Sequence, residues 1–238
     1  MDRRTAFRLV ATVIGVTACT AVFAQQRGQA PQGQAPAEGR GRGAAAADAA
    51  TRPPLLFREE WKYAGQSTDE ARRVNQNVLS NARLELKLYG DAKNVEVYQH
   101  EGRNDLWSGL ATGPVALTLR DKANYMDLTG LARLRWMVRT QALHTVYPVV
   151  KLADGTLIAG NRGVSTEGDY IESEVAFGNL RWYKLDPDKA VTTVEVKNPD
   201  LSRVDEIGWV DLAPSGGHGN AGWHNMSTIE VYAKAVPR

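Results

Sequence analysis

The sequence is poor in residues that make covalent or metal cross-links. Its 238 residues hold one cysteine, Cys19, and four histidines. A single cysteine excludes an intramolecular disulfide framework and a cysteine-built zinc site. Neither sign of charge is in excess, with 29 Lys and Arg against 27 Asp and Glu. A general nucleic-acid binder needs a concentrated basic face, so nucleic acid is not an expected partner. No apolar run reaches the ~20 residues that a membrane-spanning helix needs, so none is expected. Motifs for a nucleophile elbow, a phosphate loop and a metalloprotease helix are also missing.

The first 24 residues read as an export signal. Arg3, Arg4 and Arg8 precede Leu9–Ala24, an uncharged and mostly apolar stretch of 16 residues. Val22 and Ala24 stand at the −3 and −1 positions before Gln25, the pattern of a cleavage site. The expected location is therefore periplasmic or secreted. Val16-Thr17-Ala18-Cys19 also resembles a bacterial lipobox, which would make Cys19 a lipid anchor. Both readings stand on sequence alone.

Residues 25–54 follow as a low-complexity linker. Gln, Gly, Ala and Pro fill 23 of these 30 positions, and aromatic residues are absent. Such a stretch cannot bury enough apolar surface to offset its conformational entropy, so disorder is expected. Pro53-Pro54 marks the expected start of the folded part, residues 55–238. That part carries 22 basic and 24 acidic side chains and all six tryptophans.

Alternation of apolar and polar residues dominates the folded part. Leu84, Leu86 and Leu88 share one face of a predicted strand over Ala82–Tyr89. Val115, Leu117 and Leu119 do the same over Val115–Arg120. In Arg133–Arg139 the residues Leu134, Trp136 and Val138 face inward and three arginines face outward. Val146–Leu152, Asp169–Phe177, Leu180–Leu185, Val204–Leu212 and Thr228–Ala233 complete eight strands. Turn residues such as Gly90-Asp91 and Asn198-Pro199-Asp200 separate them. One segment, Thr68–Ser80, reads as a helix with Ser67 or Thr68 as its cap, or equally as a surface loop. The fold class is all-β, a two-sheet antiparallel β-sandwich or jelly roll.

Three segments carry a family likeness. Tyr125–Arg139 has an Asp-Leu-Thr-Gly turn before an alternating strand. Leu201–Val210 contains Val-Asp-Glu-Ile-Gly-Trp, and Ser227–Tyr232 is a closing strand. Together they resemble the galactose-binding-like β-sandwiches, a group that includes many carbohydrate-binding modules. The resemblance spans about residues 115–232 and speaks for fold more than activity. It implies a glycan or small sugar as partner. It also makes structural calcium conceivable, with Asp127, Asp205, Glu206 and Glu230 as ligand candidates; no other cofactor is expected. Exported proteins acting on 3-keto-sugars and other glycosides also use β-sandwiches, so a glycoside hydrolase or lyase on the same scaffold is the alternative.

Two segments concentrate chemistry. Pro214–Asn225 is a glycine-rich stretch holding His218, Asn220, Trp223, His224 and Asn225. A tryptophan beside amides and imidazoles suits a sugar, which has an apolar face and a hydroxyl rim. His218 and His224 lack a nearby acidic third ligand, so they make a poor transition-metal site. His100–Trp107 gathers His100, Glu101, Arg103, Asp105 and Trp107 in eight residues. His100, Trp107, His218, Asn220, Trp223 and His224 are thus the ligand-binding candidates. Glu101, Asp105 and His224 are the candidates for catalysis, since glycosidic chemistry uses paired carboxylates. Arg181-Trp182-Tyr183-Lys184 is a further candidate for a sugar-stacking face, a pattern that edge strands also show. Glu172 and Glu174 are expected to pair with Arg135 or Arg139.

Overall fold

A computed structural model describes residues 52–65, 68–213 and 222–238. Among them fifteen strands follow in order: β1 (Leu55–Glu59), β2 (Leu84–Gly90), β3 (Glu96–His100), β4 (Arg103–Trp107), β5 (Val115–Asp121), β6 (Asn124–Asp127), β7 (Arg133–Gln141), β8 (Val146–Leu152), β9 (Leu157–Gly160), β10 (Ile171–Ala176), β11 (Trp182–Leu185), β12 (Thr192–Val196), β13 (Val204–Asp211), β14 (Trp223–Tyr232) and β15 (Lys234–Pro237). All pairings are antiparallel, in two sheets. The chain is a two-sheet β-sandwich.

The first sheet runs β10-β7-β14-β4-β3. One edge of β14 pairs with β7 along its length, and the other takes β4 near its start and β1 near its end. The second sheet runs β12-β11-β9-β8-β13-β5-β2, with β6 on β13 and β15 on β6. Alternation puts Leu134, Trp136 and Val138 of β7 into one core with Leu117 and Leu119 of β5 and Ile207 and Trp209 of β13. Trp61 closes over Trp209 edge to face, with ring centres 5.9 Å apart, and its indole donates to the Met226 carbonyl at 2.8 Å. A smaller apolar cluster, including Ala116, Val149, Ala159 and Val210, forms on other positions of the second sheet's strands.

β14 carries an irregularity that decides the site. Its register against β7 shifts between Met226 and Thr228, leaving Ser227 as the extra residue of a bulge. His224 and Met226 are fully buried before the bulge, and Ile229 and Val231 after it. Trp223 and Asn225 therefore stand on the same outer face as Glu230 and Tyr232.

The eight strands read from alternation are all present. Seven further strands carry little alternating apolar signal. The helical reading of Thr68–Ser80 holds only for α1 (Asp69–Arg72) and a 3-10 turn over Gln76–Val78. Thr68 does cap α1, its hydroxyl accepting from the Ala71 amide at 3.2 Å. The helix stops because Val74 donates to the Val95 carbonyl, which ties the chain to the segment before β3. His100–Trp107 spans the end of β3, its tight turn and β4, which form a β-hairpin. The Gly-rich stretch gives way to strand at Trp223, and residues 214–221, with His218 and Asn220, lie outside the described residues. Cys19 and Ser67 lie outside them as well. Among the described residues no helix is long and apolar enough to cross a membrane.

Candidate functional site

The β3–β4 turn is built from Glu101 and Gly102, with φ of 51° and 77°. Two left-handed residues in a two-residue loop match the twist of the flanking strands. Gly102 adopts this conformation without a Cβ clash. The tight turn pairs His100 with Arg103 and Tyr98 with Asp105, so these four share one face of the sheet.

Asp105 is the hub of that face. It has no exposed surface, and a carboxylate removed from water needs donors to offset the desolvation. The Asn225 amide donates to it from β14 at 2.9 Å, and His100 Nδ1 lies 2.9 Å from its Oδ2. Tyr170, just before β10, donates its hydroxyl to the same Oδ2. The hydrogen bond to Asp105 raises the pKa of His100 against the opposing effect of burial. Because Nδ1–H points at the carboxylate, Nε2 is the nitrogen left for other partners. Burial, reinforced by Asp105, pushes Tyr170 well above the ordinary phenol range, so it stays a neutral donor.

Aromatic rings and guanidinium groups surround the hub. Arg139 of β7 stacks 4.9 Å from the centre of the Trp223 ring and 5.5 Å from that of Tyr170. Arg103 lies 5.4 Å from the Tyr170 ring. Tyr98 packs against His100 at 5.6 Å and edge-on to Trp107 at 5.4 Å. Beside Arg103 lies an open depression of about 330 Å³, lined by Gly102, Asn104, Met137 and Thr228 among others.

Of the residues singled out by sequence, the structure thus brings together His100, Glu101, Asp105, Trp107, Trp223 and Asn225. Two of them have altered roles. Trp107 is only 5% exposed, so it supports the face without offering a flat surface. Asp105 has its oxygens occupied by three donors, so it orients its neighbours and does not face a glycosidic bond. Trp61, Trp136, Trp182 and Trp209 are core residues. Trp182 stacks on Phe177 with ring centres 6.4 Å apart, so the expected sugar-stacking role does not hold for it. Trp223 is the one tryptophan of the six that is not buried.

His224 faces the opposite way and is corrected as a site residue. It is fully buried between the sheets. Trp209 donates its indole N–H to His224 Nε2 at 3.0 Å, so His224 Nδ1 carries the proton toward Asp211 Oδ2 at 2.8 Å. Both ring nitrogens are thereby used. His144 approaches the same Oδ2 through its Nδ1 at 2.5 Å. Burial would raise the pKa of Asp211, yet the hydrogen bonds from His144 and His224 lower it to about 2. This network is a structural tie.

The calcium candidates are not gathered either. Asp205 is paired with Arg120 and Arg238, and Glu230 with Arg58 and Arg135. Glu206 accepts from Tyr89, Thr118 and Lys151, and Asp127 closes a turn on Thr129. Among the described residues no three His, Cys, Asp or Glu side chains form a metal-binding group.

Sequence reasoning missed Tyr170 and read Arg139 as an outward sheet residue and a partner for Glu172 or Glu174, which instead pair with Arg135 and Arg133. Tyr170 is 65 residues from Asp105 along the chain. The only local signal was an aromatic residue at the mouth of a strand.

No family model matches the chain, and no curated protein matches it in sequence. Solved structures resemble it weakly. A family 11 carbohydrate-binding module from Clostridium thermocellum, in complex with a beta-1,3-1,4-mixed-linked tetrasaccharide, aligns with a TM-score of 0.40 and 10% identity over 70% of this chain and 97% of that one. The carbohydrate recognition domain of Emp47p aligns with a TM-score of 0.32 and 12% identity over 70% of this chain and 99% of that one. An exo-beta-agarase aligns with a TM-score of 0.34 and 12% identity over 70% of this chain; the chain spans only 25% of the agarase's length. It spans 22% of PfGH50B, which also matches. At these scores function rests on the chain's own residues.

Proposed function

We propose that the outer face of the first sheet, at the β3–β4 hairpin, binds a glycan. One observation carries this reading: the buried Asp105 holds His100, Tyr170 and Asn225 in fixed orientations beside Trp223, the one tryptophan that is not buried. Aromatic faces match the apolar face of a pyranose, and imidazole and guanidinium donors match its hydroxyl rim. Pre-orientation lowers the entropy lost on binding. Titration calorimetry against a panel of plant and algal oligosaccharides tests it. Trp223→Ala is expected to weaken the best ligand about tenfold, the scale of an aromatic anchor at an interface. Binding that is unchanged in Trp223→Ala, or absent for every sugar, would defeat the proposal.

We further propose that the protein acts outside the cytoplasm, released from residues 1–24 and trailing the linker of residues 25–54. Mass spectrometry of the mature protein decides its form. A free Gln25 terminus supports simple export, a lipidated Cys19 supports anchoring, and an intact Met1 refutes both.

A further inference from the structure

The arginines of the first sheet's outer face fall into two groups. Away from the hairpin each is matched by carboxylates. Arg58 pairs with Glu60 and, at 3.0 Å, with Glu230. Arg135 pairs with Glu230 at 2.9 Å and Glu172 at 3.3 Å, and Arg133 with Glu174 at 2.9 Å. At the hairpin this matching stops.

Arg103 is exposed and has no carboxylate or hydrogen-bond acceptor among the described residues. The nearest carboxylate oxygen to Arg139 belongs to Glu101, 4.0 Å away and beyond hydrogen-bond reach. Arg139 Nε is buried and lacks a hydrogen-bond acceptor among the described residues; Arg133 Nε and Nη1 also lack one, but Arg133 keeps a carboxylate oxygen 2.9 Å away. Glu101 is 65% exposed at the turn, and Asp105 is already committed to its three donors. The other acids near this face are turned elsewhere: Glu96 toward Tyr98 and Arg72, Glu172 toward Arg135. Glu167 and Asp169, before Tyr170, are exposed and form no ion pair among the described residues.

Stacking rather than salt bridging therefore positions these two guanidinium groups. A guanidinium lying over an aromatic ring keeps its N–H edge free, and that edge matches a carboxylate or sulfate. Two such groups flank one tyrosine, with the His100 imidazole on the same hub.

We propose that the ligand of this face is an acidic glycan, whose carboxylate or sulfate group is received by Arg103 and Arg139 beside His100. The proposal rests on the glycan reading above and adds its charge. A uronic acid and a sulfate ester share the recognising chemistry, so the test includes both. Titration calorimetry compares a galacturonate tetramer and a kappa-carrageenan tetrasaccharide with neutral neoagarotetraose, at low and high salt. At least one acidic sugar is expected to bind about tenfold more tightly than the neutral one at low salt. Arg103→Gln combined with Arg139→Gln is expected to remove that preference. Arg103→Gln alone, at an exposed position, serves should the double variant fail to fold, and is expected to reduce it. Equal binding of acidic and neutral sugars, or a preference unchanged in these variants, overturns the charge assignment and leaves the glycan reading intact. No heat from any sugar, acidic or neutral, overturns both.

Discussion

Asp105 concentrates the argument at the scale of single residues. Each of its partners donates to it, so an amide in its place supplies one acceptor fewer and is satisfied only if the Tyr170 hydroxyl, the His100 tautomer or the Asn225 amide turns to accept its N–H. Asp105→Asn is expected to cost about 1–3 kcal/mol of stability, the scale of a buried polar group left unsatisfied. It is also expected to lower the His100 pKa, because the carboxylate that raises it is gone. A proton NMR titration of the His100 ring checks this; an unmoved midpoint would show that Asp105 does not control the imidazole. The sign has a consequence for stability. A histidine with a raised folded pKa stabilises the fold at low pH, and that contribution fades as pH rises through the folded value. The sequence showed part of this site. His100, Glu101 and Asp105 lie within six residues, and their density was visible. Tyr170 and Arg139 join them only through strand order, which no local window contains.

Strands were legible where one face is buried and the other is not. β2 and β7 alternate because they separate the core from a more open face, whereas β5 alternates in residue type although both its faces are largely buried. β12 is missed because it is an edge with nearly every residue exposed, so nothing requires alternation. β3 and β4 are missed because their outer positions hold chemistry and their inner ones are few. Element packing gives a sharp expectation at Gly208 of β13. A Cβ there would sit 2.0 Å from the Leu117 carbonyl oxygen and 2.7 Å from Thr118 Cα, both backbone atoms of β5. Gly208→Ala forces two central strands apart and is expected to lower stability by about 3 kcal/mol or more. Gly178, with open space around its Cβ position, is the control: Gly178→Ala should leave the melting temperature nearly unchanged. Equal melting temperatures for the two variants would contradict this packing.

Across the whole molecule, Asp211 joins parts of both sheets. Its histidine partners come from the β7–β8 connection and the start of β14, while Asp211 itself ends β13. Its pKa is lowered from 3.8 to about 2 in the folded protein. A lowered carboxylate pKa means stability that is complete above the unfolded value and is lost as pH falls toward the folded one. This group is expected to contribute roughly 2 kcal/mol near neutral pH. Urea midpoints measured between pH 5 and 2 should fall most below pH 4. In Asp211→Asn the protein should start less stable and lose less over that interval. A wild-type profile that stays flat below pH 4 would refute the assignment. The two-layer architecture was legible as a whole because alternation, turns and missing helices agreed. The inward role of His224 was not, because a histidine beside glycines reads as a loop residue until the strand parity is known.

That parity hangs on Ser227. Along a strand, side chains go in and out by count, and one extra residue reverses the count beyond it. The bulge lets β14 keep Ile229 and Val231 inside while Trp223 and Asn225 face out. Removing Ser227 would leave the strand continuous but odd where it is now even. The indole and amide would turn into the core, and His224 and Met226 toward the outer face. A deletion of one residue thus turns the molecule inside out at a single strand, while the same deletion in a connecting loop changes only a length.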